Sequence, residues 1–327
     1  VMLYLHGGGY IAFTGRSHLE YVARVVKELQ ASQQLRVRAC IVDIRRAPEH
    51  PWPAPLQDAV TCFDWLQAGA GYPASRIVLK GDSAGGGLCL CLLLALRDAG
   101  KPMPRCTVVI SPFTDLARSM EQYPEAPQTD FIPAYAPLAS TRLYVEQGQD
   151  PRHPLISPKY GELHALPPVL IQAGEGKLLA RDSIEYAHRL KLYGGTVRLE
   201  MYPDMPHVFP TLAVLGLEDA YTAIARQAPF VASVLNGTLP EAPDNKLEPR
   251  LRVPRRDKRT QSFEDVRSSA GRASSMPSAT SSPALCPALL TFDGLRNSNK
   301  VTWPCSPGST ASATKFRGAL TPGGQVR

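Results

Sequence analysis

Residues 77–87 read Ile77-Val78-Leu79-Lys80-Gly81-Asp82-Ser83-Ala84-Gly85-Gly86-Gly87. A short strand-like run, Ile77–Lys80, leads into a serine between small residues. After it, Gly85–Arg97 is apolar nearly all round, as a buried helix would be. A G-x-S-x-G sequence between a strand and a helix is the setting of a nucleophile elbow. Gly81, Ala84 and Gly85 flank Ser83 because such a turn is too tight for larger side chains. The turn lifts the serine Oγ to the C-terminal edge of the sheet. A phosphate-binding loop is the competing reading, but it ends in Lys-Ser or Lys-Thr, and here Gly87 is followed by Leu88.

Working outward, strand and helix patterns alternate. Val1–Leu5 is an apolar run ending in glycines. Ser17 and Glu20 have the spacing of a capping box ahead of Val22, Val25, Val26 and Leu29, which recur at helical intervals. Val37–Asp43 reads as a strand, and Leu56, Ala59, Val60, Phe63 and Leu66 mark a helix. Val108–Ile110 and Val169–Gln172 are further strands, followed by a helix from Asp182 to Leu192 that Gly194 and Gly195 end. Val197, Leu199 and Met201 alternate as a strand, and Leu212–Leu235 closes the unit as one or two helices. Apolar strands separated by helices predict an α/β fold, a mostly parallel sheet with helices on both faces. Residues 115–158 break the pattern. They are Pro-rich, carry Tyr123, Phe131, Tyr135 and Tyr144, and have the length of an inserted lid between strands.

The chain has 327 residues, 44% hydrophobic and 20% charged, enough for one large domain or two small ones. Its longest apolar run, near Leu88–Leu96, is about half the ~20 residues that a membrane helix needs. Seven cysteines without regular spacing or a companion His cluster argue against a disulfide scaffold and a structural zinc site. Residues 241–327 hold fourteen Lys/Arg against seven Asp/Glu, the whole of the chain's net charge of +7. The composition shifts near Leu239 to basic runs and Ser/Pro-rich stretches, so residues 1–238 are expected to fold and 239–327 to form a disordered basic tail. That tail reads as solvated. Nucleic acid is not expected as a partner, whereas contact with a membrane surface through the tail, or through residues ahead of Val1, stays open. The chain starts at Val1 inside an apolar run with no readable signal peptide, and a cytoplasmic location is the expectation.

Two further stretches carry chemistry. His6-Gly7-Gly8-Gly9 follows the first strand, and consecutive glycines let backbone N–H groups approach an oxyanion closely. His6 reads as shaping this loop. His207, in Tyr202-Pro203-Asp204-Met205-Pro206-His207, follows the last strand and comes after Ser83 in chain order. A nucleophilic serine needs such a base of near-neutral pKa. His18, His50, His153, His164 and His188 read as structural or solvated.

Together, His6–Tyr10, Arg45–Ala54, Gly81–Gly86 and Met205–Phe209 resemble the hormone-sensitive-lipase-like branch of the α/β-hydrolases, the GDXG lipolytic enzymes, over roughly residues 1–236. The resemblance implies hydrolysis of carboxylic esters through an acyl-enzyme without a cofactor. It matches Ser83 to the nucleophile, His207 to the base, and Gly7, Gly8 and the Ala84 N–H to an oxyanion hole, with His6, Gly9, Gly81, Asp82 and Gly85 as supporting motif residues. It departs from the family in two ways. Members carry a lid-forming region and early strands ahead of the glycine loop, so this chain reads as N-terminally truncated. At the family's acid position stands Lys177, which cannot accept the imidazole N–H. Glu175 is the nearest substitute, with Asp182 or no acid at all as alternatives. Asp182 also reads as a helix N-cap.

The leading expectation is therefore an esterase or deacetylase acting on short-chain or small apolar esters. The alternative is a catalytically impaired protein of the same fold that binds a small apolar ligand or a partner. A peptidase is a third reading, with no specific feature in its favour.

Overall fold

The computed structural model describes residues 1–120, 130, 132–133, 135–175, 179–238, 288–292 and 299–302. Six parallel strands form the body of the sheet: β1 (Met2–Leu5), β2 (Arg38–Val42), β3 (Val78–Asp82), β4 (Cys106–Ile110), β5 (Val169–Gly174) and β6 (Val197–Tyr202). Their order is β6-β5-β4-β3-β1-β2, which puts β1 and β3, the strands ahead of the glycine loop and of Ser83, side by side. Alternate residues of each strand enter separate cores. Met2, Tyr4, Ala39 and Ile41 pack beneath α1 (Leu19–Gln33) and α7 (Glu218–Leu235). Leu3, Leu5, Cys40 and Val42 pack beneath α2 (Ala54–Ala68), α3 (Ser83–Asp98) and α6 (Ala180–Leu192). Helix α3 is buried from Ala84 to Leu96, as its all-round apolar sequence requires.

Two local readings need correction. The capping box lies one turn earlier than expected: Thr14 pairs with Ser17 in a 3-10 turn over Gly15–His18, and His18 is the residue before α1. Two overlapping polar pairs share Ser17, and the tertiary path of the glycine loop selects the earlier one. Asp182 is not the N-cap of α6, which begins at Ala180 after Leu179. Its buried carboxylate instead accepts the Thr114 and Asp115 N–H groups, satisfying the chain ahead of α4 (Leu116–Met120). Leu212–Leu235 divides into a 3-10 turn, Phe209–Leu215, and α7.

Two further strands come from the tail. Within the span expected to be disordered, β7 (Ala288–Phe292) pairs antiparallel with β2, and β8 (Asn299–Thr302) pairs antiparallel with β7, extending the sheet to eight strands. The physical reason is the β2 edge: it carries unpaired backbone groups, and Ala288-Leu289-Leu290-Thr291-Phe292 is a local β-forming run able to cover them. Removing residues 239–327 is therefore expected to lower the melting temperature by several degrees and to promote association through the bared edge. Scanning calorimetry and light scattering check this, and an unchanged, monomeric core would contradict it.

Between β4 and β5 the described residues form α4 and α5 (Ala136–Tyr144). Tyr144 of α5 stacks on Tyr10 at 3.8 Å between ring centroids, tying the insertion to the glycine loop. Among the described residues, no helix is long and apolar enough to cross a membrane.

Candidate active site

The elbow forms where strand β3 gives way directly to helix α3. Ser83 has a φ of +51°, the left-handed conformation that the reversal imposes. Neighbouring positions leave no room for a Cβ. One on Gly81 would lie 2.5 Å from the Gly85 carbonyl oxygen, and one on Gly85 would lie 2.2 Å from that of Leu5. These contacts are the physical content of the G-x-S-x-G spacing, because the helix start, the strand and β1 pass within backbone distance of each other.

His207 arrives from the loop after β6. Gly174, at the end of β5, admits this loop, since a Cβ there would stand 1.9 Å from the Met205 carbonyl oxygen. The Val208 N–H donates to Ser111 Oγ (3.3 Å), fixing the chain next to the histidine. The result is His207 Nε2 at 2.9 Å from Ser83 Oγ, both residues lining one cavity. Burial brings the His207 imidazole down to about 4, against the opposing charges of Asp130 and, behind it, Asp82. A neutral imidazole at 2.9 Å from a hydroxyl can accept its proton.

The glycine loop lies on the other side of Ser83. Gly8 (φ +115°) and Gly9 (φ +63°) take conformations that favour glycine, and a Cβ on Gly8 would meet the Ala12 carbonyl oxygen at 2.1 Å. The Gly8 carbonyl accepts the Ile11 and Ala12 N–H groups. The His6 Nδ1–H donates to the Gly7 carbonyl (2.8 Å). The expectation for Gly7 changes: its N–H donates to Asp82 Oδ1 (3.0 Å). Gly8 lines the cavity, and Ala84 stands in the first turn of α3, where the helix itself offers its N–H no partner. These two N–H groups flank Ser83.

The expected substitute acid is not brought to the histidine. Glu175 is exposed; its backbone N–H donates to the Tyr202 carbonyl (2.8 Å), and its side chain makes no hydrogen bond with a described residue. Lys177 lies outside the described residues. Asp182 is committed to Thr114, Asp115 and Arg118. Among the described residues, the charges of Asp130, from the insertion, and of Asp82 act on His207.

The cavity measures about 510 Å³. Ile11, Phe13, Phe113, Ile132, Pro137 and Leu212 give it mainly apolar walls, with Ser83 and His207 as its reactive groups. His18, read from sequence as structural or solvated, also reaches this cavity and faces Asp82. Its position on a turn before α1 gave no sign of that, because the contact spans 64 residues of chain.

The sequence profile of the alpha/beta hydrolase fold matches residues 2–211. An acetyl-hydrolase of Streptomyces hygroscopicus is 37% identical over 208 residues, which span 64% of this chain and 67% of that protein. An esterase of Acinetobacter venetianus is 28% identical over 237 residues, 72% of this chain and 75% of its own. Among crystal structures, an esterase from the bacterial hormone-sensitive lipase family is 36% identical with a TM-score of 0.64, covering 72% of this chain and 76% of that one. An esterase/lipase from an uncultured bacterium is 34% identical with a TM-score of 0.66 at the same coverage.

Proposed function

The chain belongs to the alpha/beta hydrolase fold family, in its hormone-sensitive-lipase-like branch, and from that premise we propose that it is a serine hydrolase of small apolar carboxylic esters. The observation that carries the reading is the 2.9 Å approach of His207 Nε2 to Ser83 Oγ in an apolar cavity.

Ser83 Oγ attacks the ester carbonyl while His207 Nε2 takes its proton. The carbonyl oxygen becomes an oxyanion, and the N–H groups of Gly8 and Ala84 donate to it. Collapse of the tetrahedral intermediate breaks the bond to the alcohol, and His207 returns the proton to the departing oxygen. Water, deprotonated by the same imidazole, then releases the acid and restores Ser83. The imidazolium formed in each half is supported by the Asp130 and Asp82 charges in place of a direct carboxylate partner at Glu175. Residues 115–158 act as a lid: Ile132, Pro133, Ala136 and Pro137 form one wall of the cavity, which favours substrates without charge near the ester.

A series of p-nitrophenyl esters from acetate to decanoate tests the proposal. Hydrolysis of the short members, falling with acyl length, is the expected result. Binding of these esters without release of p-nitrophenol would favour a ligand-binding protein of the same fold.

A further inference from the structure

Asp82 precedes the reactive serine and lies in the core, yet its carboxylate is held on every side. Oδ1 accepts the Tyr4 hydroxyl at 2.6 Å and the Gly7 N–H at 3.0 Å, while Oδ2 faces His18 Nε2 at ion-pair distance, 3.5 Å. The other nitrogen of His18, Nδ1, lies 3.2 Å from the Thr14 carbonyl oxygen. A carbonyl can only accept, so Nδ1 carries a proton and donates to Thr14, and the carboxylate facing Nε2 at ion-pair distance favours the imidazolium form. Around this ring stand Tyr4 and His6 at 5.8 Å between centroids and Phe13 at 6.2 Å. On its own helix Glu20 and Tyr21 follow, and Asp43 lies behind His6 at 3.7 Å.

We propose that His18 is a positioning residue for the hydrolysis: it pins the Asp82 carboxylate, and Asp82 holds the Gly7 N–H, so that the Gly8 and Ala84 N–H groups stay aimed at the oxyanion. The inference rests on the roles given above to Ser83 and the glycine loop. Burial alone would lower the His18 pKa, but the charge of Asp82 and their hydrogen bond outweigh it and raise it. Burial alone would raise the Asp82 carboxyl, yet His18, Tyr4 and Gly7 together hold it lower. His6 is driven the other way, chiefly by burial, so the neighbouring ring adds no second cation. As pH rises through the elevated His18 pKa the ring loses its charge. Asp82, which also feels the charge of the buried Lys80 on β3, then lacks its His18 partner, and the loop that it anchors loosens.

The test is a pH profile of kcat and KM on p-nitrophenyl butyrate for the full chain, His18→Ala, His18→Gln, Asp82→Asn and the His18→Ala/Asp82→Asn double variant. His18→Ala is expected to lose about 10- to 100-fold in kcat with KM changed less than about threefold, somewhat below the loss for removing an oxyanion donor outright. His18→Gln, which keeps a donor but cannot titrate, should recover part of the rate and lack the alkaline limb expected of the wild type. The double variant should lose no more than its worse single member, because both act through one anchor. A His18→Ala kcat within twofold of wild type, additive losses, or an alkaline limb that persists in His18→Gln would each overturn the proposal. If His18→Ala does not fold, the alkaline limb of His18→Gln decides alone. Ser83→Ala, run in parallel, separates the levels: activity surviving in it refutes the hydrolase reading itself, whereas an inactive Ser83→Ala beside unaffected His18 variants refutes only the positioning part.

Discussion

Ser83→Ala is expected to lower kcat by about 10⁶-fold, which corresponds to about 8 kcal/mol of transition-state stabilisation. Without Oγ no acyl-enzyme forms, and His207 is left with only a direct attack by water to assist. KM should stay close to the wild-type value, because the apolar walls that bind the ester remain and the truncated side chain adds space. The variant should also fold as well as the wild type, since alanine keeps the Cβ that Ser83 carries at a φ of +51° and the lost hydroxyl bonds to His207 alone among the described side chains. Turnover measured on single-turnover and steady-state timescales checks the figure. A variant retaining a tenth of the wild-type rate would place the nucleophile elsewhere.

His207→Gln is expected to cost nearly as much, about 10⁵- to 10⁶-fold, because nucleophile and base act as a unit and the loss of either stops acylation. The pH dependence sharpens this expectation. The base must be neutral to accept the Ser83 proton, and burial lowers the His207 imidazole to about 4. Above that value the base is competent; below it the imidazolium cannot accept. The wild-type kcat/KM should therefore hold level into weakly acidic solution and fall only as pH approaches 4, unlike an exposed histidine, which would fall near 6.5. An acid limb near 6.5 would mean that the ring is solvated in the working enzyme. His207→Gln should show a low rate with no such limb.

The parts of this site that could be read from sequence are those fixed by short-range sterics. Gly81, Ser83 and Gly85 announce the elbow because a tight strand-to-helix reversal excludes side chains at those positions whatever surrounds it. His6–Gly9 is legible for the same reason, and His207 follows from its place at a C-terminal strand end after Ser83. The mostly parallel sheet with helices on both faces follows from alternating apolar strands and helices, and the burial of α3 from the all-round apolar pattern of Gly85–Arg97.

What could not be read depends on contacts between distant segments. Glu175 is the natural substitute by sequence distance, but sequence distance does not set where a side chain lies, and Glu175 is exposed. Asp182 has the position of a cap, and it does cap backbone N–H groups, but those of residues 114 and 115. The donation of the Gly7 N–H to Asp82, and the meeting of Asp82 with His18, arise only once β1 and β3 lie side by side. The pairing of β7 with β2 joins residues some 250 positions apart, and no local pattern in the basic tail names its partner strand.

The central claim is that Ser83 is the nucleophile, activated by His207. It is tested most directly by treating the full chain with a fluorophosphonate and mapping the adduct by peptide mass spectrometry. The prediction is a single stoichiometric adduct on Ser83, slowed by several orders of magnitude in His207→Gln. No adduct on Ser83, or one formed equally fast without His207, would contradict it.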